Sequence, residues 1–144
     1  MRKVVLLCGP PGAGKTTIAH GSGLPVFDRD DAHWTSEAQF REALAALGQQ
    51  RGARAVVIRS GASSTSRRAT TDLIRATHAY LVTAPADELG RRVRARGRDD
   101  LVPTLMGIDR WWSRHDRDDG VLDFPGWAAI DLDRTDPGVT STDW

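Results

Sequence analysis

The chain has 144 residues, 40% of them hydrophobic, which suits one domain around one core and leaves no room for a second catalytic domain. Its single cysteine, Cys8, excludes an internal disulfide and fits a reducing, cytoplasmic compartment, and no apolar run approaches the ~20 residues that span a bilayer. Net charge is only +1 but uneven: residues 41–98 carry twelve Arg against four acids, and residues 99–144 carry four Arg against eleven Asp.

In chain order, KVVLLC (3–8) is β-branched and apolar and predicts a buried strand rather than part of a signal peptide. GPPGAGKTT follows, then a short helix through about His20, broken by GSGLP. PVFD (25–28) predicts a second strand. Thr35 or Ser36 is placed to cap a helix with Phe40, Leu44 and Leu47 on one face, ended by Gly48 or Gly52. ARAVVIRS (53–60) reads as strand three, 65–78 as a helix, and AYLVTA (79–84) as strand four. Pro85 opens a helix through Gly97, Asp99 to Val102 reads as a loop, and Pro103 opens another helix through Asp116. GWAAIDLD (126–133) predicts a short fifth strand, and 134–144 reads as a loose tail. Alternating strands and helices imply one α/β domain with a mostly parallel five-stranded sheet. Ligands on such sheets bind beyond the carboxyl ends of the strands, where each motif below falls.

Gly9-Pro10-Pro11-Gly12-Ala13-Gly14-Lys15-Thr16 matches G-x-x-x-x-G-K-[ST] at every defined position. Glycines let the backbone wrap so that N–H groups point at phosphates, and the following helix N-terminus adds partial positive charge. Gly9, Gly12, Ala13, Gly14, Lys15, Thr16 and Thr17 therefore form a candidate nucleotide cradle. Lys15 would reach the β- and γ-phosphates, and the Thr16 hydroxyl would face Mg²⁺. The motif predicts binding of ATP or GTP with Mg²⁺, giving a P-loop NTPase-type three-layer sandwich. It does not choose between a kinase, a motor and a switch.

Four stretches resemble the 5′-polynucleotide kinase group of P-loop kinases, the phage polynucleotide kinase and zeta-toxin-like proteins, with small-metabolite kinases as wider relatives. They are GPPGAGKTT, the Arg29-Asp30-Asp31 triplet after the second strand, VVIRSGASSTSRR (56–68), and ELGRRVRARG (88–97) followed by Val102-Pro103. Together they run in order over about residues 3–115. The resemblance implies that Asp30 is the general base on an attacking hydroxyl and that Arg96, at the start of a short lid over about 97–103, spans the transferred phosphoryl group. Arg92, one turn earlier, would meet the nucleotide. Asp28 is a candidate to join Thr16 at the metal. His33, Trp34, Ser60 and Arg67 would lie on the acceptor side.

Two positions depart from that group. Ser60 stands where the family's third strand ends in Asp, and His33 stands where the family places an Arg for an acceptor phosphate. The basic middle segment points to a nucleic-acid acceptor, either a 5′-OH end or a hydroxymethylated base. It is equally the pattern of solvated Arg-rich helices. Two alternatives stand beside the nucleic-acid kinase: a small-metabolite or nucleoside kinase, and a nucleotide-binding regulatory protein with little catalysis, suggested by the lost acid at Ser60. Trp111 and Trp112, flanked by Arg110 and Arg114, read as core, with base stacking the other role open to one of them. His20, His78 and His115 have no metal-ligand spacing, and neither a membrane nor a disulfide partner is expected.

Overall fold

The computed structural model describes residues 1–84, 86–96 and 101–130. The expected lid falls partly, and the expected tail wholly, outside them. Five strands, β1 (Lys3–Cys8), β2 (Val26–Asp28), β3 (Arg54–Arg59), β4 (His78–Leu81) and β5 (Leu122–Asp123), form one sheet in the order β2-β3-β1-β4-β5. Every pairing is parallel; Val5, for example, lies between Val56 on β3 and His78 on β4. Helices α1 (Lys15–His20), α2 (Glu37–Gln49), α3 (Ser64–Ile74), α4 (Ala86–Arg96), α5 (Leu101–Arg114) and α6 (Trp127–Ile130) cover both faces.

The central strand explains the layering. Side chains alternate along β1, and Val4 through Leu7 are fully buried with Cys8 at 1% exposure, as a parallel strand covered on both faces requires. Val4, Leu6 and Cys8 pack with Phe40, Leu44 and Leu47 of α2 and Ile74 of α3. Val5 and Leu7 pack on the opposite face with Ala19 of α1, Leu89 and Val93 of α4, and Ile108 of α5. This is the expected three-layer α/β sandwich.

Burial pushes the Cys8 thiol up to about 12, with the positive charges of Lys15, Arg67 and Arg59 opposing weakly. A thiolate is therefore not formed near neutrality. A disulfide reagent at pH 8 is expected to label Cys8 only as fast as the protein opens, and immediately in denaturant. Rapid stoichiometric labelling of the native chain would contradict the packing.

Of the two expected caps of α2, Ser36 is the one used, accepting from the Gln39 N–H at 3.0 Å. Several boundaries differ from the sequence expectation. Helix α3 stops at Ile74, where Arg75 turns into the left-handed region at φ 52°. Helix α5 begins at Leu101, two residues before Pro103. The fifth strand is Leu122–Asp123, whereas residues 127–130 of the expected strand form α6 and 131–133 lie outside the described residues. Short apolar runs do not distinguish strand from helix by pattern. Here a tertiary contact decides: Trp127 Nε1 donates to the Ile18 carbonyl at 2.7 Å, and its ring packs edge-on to Phe124 at 4.8 Å. Among the described residues no helix is long and apolar enough to cross a membrane.

Candidate functional site

The phosphate-binding loop hangs from the end of β1, and its glycines have steric reasons. A Cβ on Gly9 would lie 2.1 Å from the Val82 carbonyl oxygen, so only glycine fits between β1 and β4. Gly12 and Gly14 adopt φ of 82° and 96°, which side-chain-bearing residues rarely take. The Gly9 N–H donates to the Ser60 carbonyl at 3.0 Å, tying the loop to the end of β3. The Lys15 ammonium donates to the Gly9 carbonyl and, at 3.5 Å, to that of Pro10. Burial lowers its pKa, while Cys8, Asp30 and Asp28 act to raise it.

A cleft of about 420 Å³ opens over this loop. Residues 11–17 form one wall. Among the described residues, Asp30, Arg96 from the end of α4, and Pro103 and Thr104 from α5 also line it. The fold thus gathers around one space the lysine, acid and arginine that lie 15 and 66 residues apart in the chain.

Three aspartates crowd into four positions after Phe27, and the structure gives each a different surrounding. Asp28 accepts from the Thr16 hydroxyl at 2.8 Å through one oxygen and from the Asp30 N–H at 3.0 Å through the other. Asp31 accepts from the His33 N–H at 3.0 Å, closing the turn. The Asp30 carboxylate is exposed to the cleft and accepts no hydrogen bond among the described residues.

The paired Thr16 hydroxyl and Asp28 carboxylate suit Mg²⁺, which binds through one or two protein oxygens and keeps several waters. No group of three or more His, Cys, Asp or Glu able to cage a metal occurs among the described residues.

Other expected site residues fall elsewhere. Arg67, expected at the acceptor, is 1% exposed and fully engaged inside the protein. Its Nε and Nη2 bond Asp119 at 3.0 and 2.8 Å, Nη1 bonds the carbonyls of Gly61 and Ala62, and Nη2 also bonds that of Asp116. It is a structural clamp. Arg92, expected at the nucleotide, is paired along its own helix with Glu88 at 3.0 Å and does not line the cleft. Trp34 packs with Phe27 and edge-on to Phe40 at 5.1 Å, so it belongs to the core. His33 stands exposed with its ring against Trp34 and lines no described pocket wall.

Ser60 is not in the main cleft. It lines a second pocket of about 250 Å³ with Ala62, Gly107, Arg110, Trp111 and Arg114, and Pro11 belongs to both spaces. This pocket was not expected from the sequence. Its only local signal is the four-residue spacing of Arg110 and Arg114 around the tryptophan pair.

No family model and no curated protein matches the sequence. Solved structures do share its fold. A sugar kinase from Janibacter sp. HTCC2649 superposes with a TM-score of 0.61 at 19% identity, over 81% of this chain and 79% of that one. A gluconokinase from Sinorhizobium meliloti 1021 superposes with a TM-score of 0.59 at 17% identity, over 85% and 82%. At such identities the likeness is one of fold, and it places this chain's architecture with those kinases.

Proposed function

We propose that this chain is a Mg²⁺- and ATP-dependent kinase that phosphorylates an alcohol group on a small metabolite. The observation that carries the reading is the single cleft holding Lys15, Thr16, Asp30 and Arg96, with Asp28 beside Thr16. The kinase folds it resembles act, by their names, on sugars and gluconate.

The loop backbone and Lys15 would hold the β- and γ-phosphates. Mg²⁺, held at Thr16 and Asp28, would supply charge neutralisation on the phosphate oxygens. Asp30 would accept the proton of the acceptor hydroxyl as its oxygen bonds the γ-phosphorus. The bond to the β–γ bridging oxygen breaks, and ADP leaves with that electron pair. Arg96 would pair with the equatorial oxygens through its planar, permanently charged fork. Positioning and electrostatics account for most of such a reaction, so one oriented carboxylate suffices as base.

The basic segment 41–98 supports a nucleic-acid acceptor less than its charge count suggests. Arg59 pairs with Glu37, Arg67 with Asp119, Arg91 with Asp87 and Arg92 with Glu88. Four of the twelve arginines are thereby held in internal or helix-surface pairs, two of them with acids from outside the segment.

The test is transfer of label from γ-labelled ATP to a panel of polyols, sugar acids, nucleosides and a 5′-OH oligonucleotide. Label is expected on small molecules, and Lys15→Ala is expected to abolish it. Label confined to the oligonucleotide would overturn the acceptor class. ATP binding with no label on any acceptor would overturn the kinase reading in favour of a regulatory nucleotide-binding role.

A further inference from the structure

We infer that the second pocket, between the end of β3 and α5, is the acceptor subsite, and that Arg110 and Arg114 select a small acceptor carrying a carboxylate or phosphate. This names the substrate class within the kinase reading above and rests on it for the transfer step. Three observations carry it.

The first is place. The pocket adjoins the nucleotide cleft through Pro11, which lines both. Gly107 keeps α5 close to the loop at this point, since a Cβ there would come within 3.3 Å of the Pro11 ring. The Ser60 carbonyl accepts from both the Gly9 N–H at 3.0 Å and Trp111 Nε1 at 2.7 Å. One oxygen thus joins the phosphate loop to the pocket wall. A ligand seated here lies beyond the carboxyl ends of the strands and beside the site of phosphoryl transfer.

The second is charge. Arg110 and Arg114 are exposed, both line the pocket, and neither guanidinium makes a hydrogen bond or ion pair among the described residues. Helix α4 shows the contrast, because its Arg91 and Arg92 each pair with an acid one turn earlier. On α5 the positions three and four away from Arg110 are Met106, Gly107, Ser113 and Arg114, so no acid is within reach along the helix. Two like charges one turn apart oppose each other, and an anion between them relieves that repulsion. Among the described residues no carboxylate lines the pocket. Asp109 is not among its lining residues, and both oxygens of Asp116 face the Ser64 N–H, with one also taken by that of Asp118.

The third is size and rigidity. At about 250 Å³ the pocket is just smaller than drug-sized ligand sites, which run ~300–1,000 Å³, and so suits a small metabolite. Trp111 is 4% exposed and stacks on the His115 ring at 4.5 Å, so this wall is held in place before any ligand arrives. The arginine forks suit a planar carboxylate or a phosphate, and neutral polyols would gain nothing from them.

The experiment measures binding and transfer separately. Calorimetric titration of the ADP-loaded protein compares D-gluconate with D-glucitol, and glycerol 3-phosphate with glycerol. Labelled-ATP assays then use the same four compounds. At least one acid is expected to bind about 10- to 100-fold more tightly than its neutral partner, and Arg110→Ala/Arg114→Ala is expected to erase that preference while ADP affinity stays within about twofold. The two pairs distinguish carboxylate from phosphate recognition. Acid binding that depends on both arginines but leads to no transfer would sustain the subsite and overturn the kinase reading. Equal binding of acids and neutral alcohols would overturn the subsite, even if the alcohols are phosphorylated. An acid preference that survives in the double variant would overturn the role of the arginines. Both side chains are exposed, so the melting temperature of the variant checks that the fold is retained.

Discussion

Asp30→Asn is expected to slow phosphoryl transfer by about 10²- to 10⁴-fold while changing ATP affinity by less than about threefold. The isosteric amide keeps the shape of the cleft wall and removes the negative charge, and with it the ability to take a proton. Asp30 is singled out by how its neighbours are used. Asp28 is occupied by the Thr16 hydroxyl and the Asp30 N–H, and Asp31 by the His33 N–H. Of the three, the Asp30 carboxylate lines the cleft and has no hydrogen-bond donor among the described residues. Asp31→Asn should then cost a turn hydrogen bond and little rate, and Asp28→Asn should raise the Mg²⁺ concentration needed. Single-turnover kinetics with a saturating acceptor checks all three. Normal transfer by Asp30→Asn together with a large loss in Asp31→Asn would move the base one residue along.

Arg67→Met is expected to cost about 3–5 kcal/mol of folding stability, a large share of the ~5–15 kcal/mol typical of a domain. The methionine fills part of the space but leaves four acceptors without their donor: the Asp119 carboxylate and the carbonyls of Gly61, Ala62 and Asp116. The Gly61 carbonyl is buried, and an unmet buried acceptor retains its desolvation cost. Asp119 has its pKa lowered, first by the Arg67 hydrogen bonds, which outweigh its burial. A depressed carboxylate stabilises the fold above the ordinary Asp range, and that stabilisation fades as pH falls through the folded-state value. The difference between wild type and Arg67→Met should therefore shrink in acid. Urea unfolding at pH 7 and at low pH measures both effects. A loss below about 1 kcal/mol at neutral pH would show that the clamp is dispensable. The consequence extends beyond stability, because Gly61 and Ala62 follow Ser60, whose carbonyl anchors the phosphate loop.

The phosphate loop was legible because its chemistry is local. Gly9 through Thr16 must take one backbone path, and the glycines and lysine that permit it are adjacent in the chain. The sheet was legible for a similar reason: Val4 to Cys8 and Ala55 to Ile58 are apolar on both faces, which only a covered parallel strand accommodates. The Asp30 and Arg96 pair was accessible through motif resemblance, and the fold brings both to one cleft.

What the sequence left open are choices among residues of one type. Twelve arginines in residues 41–98 look alike in one dimension. Which of them is free depends on acids far away in the chain: Asp119 claims Arg67 across 52 residues, and Glu37 claims Arg59 across 22. Residues 127–130, expected in a strand, form α6 for the same reason, since the Ile18 carbonyl that holds Trp127 lies 109 residues earlier. The second pocket forms where α5 passes close to Pro11 at Gly107, 96 residues later in the chain. Backbone conformation and side-chain alternation are short-range physics and can be read along the chain. Charge pairing and cavity shape depend on distances that the tertiary structure alone creates.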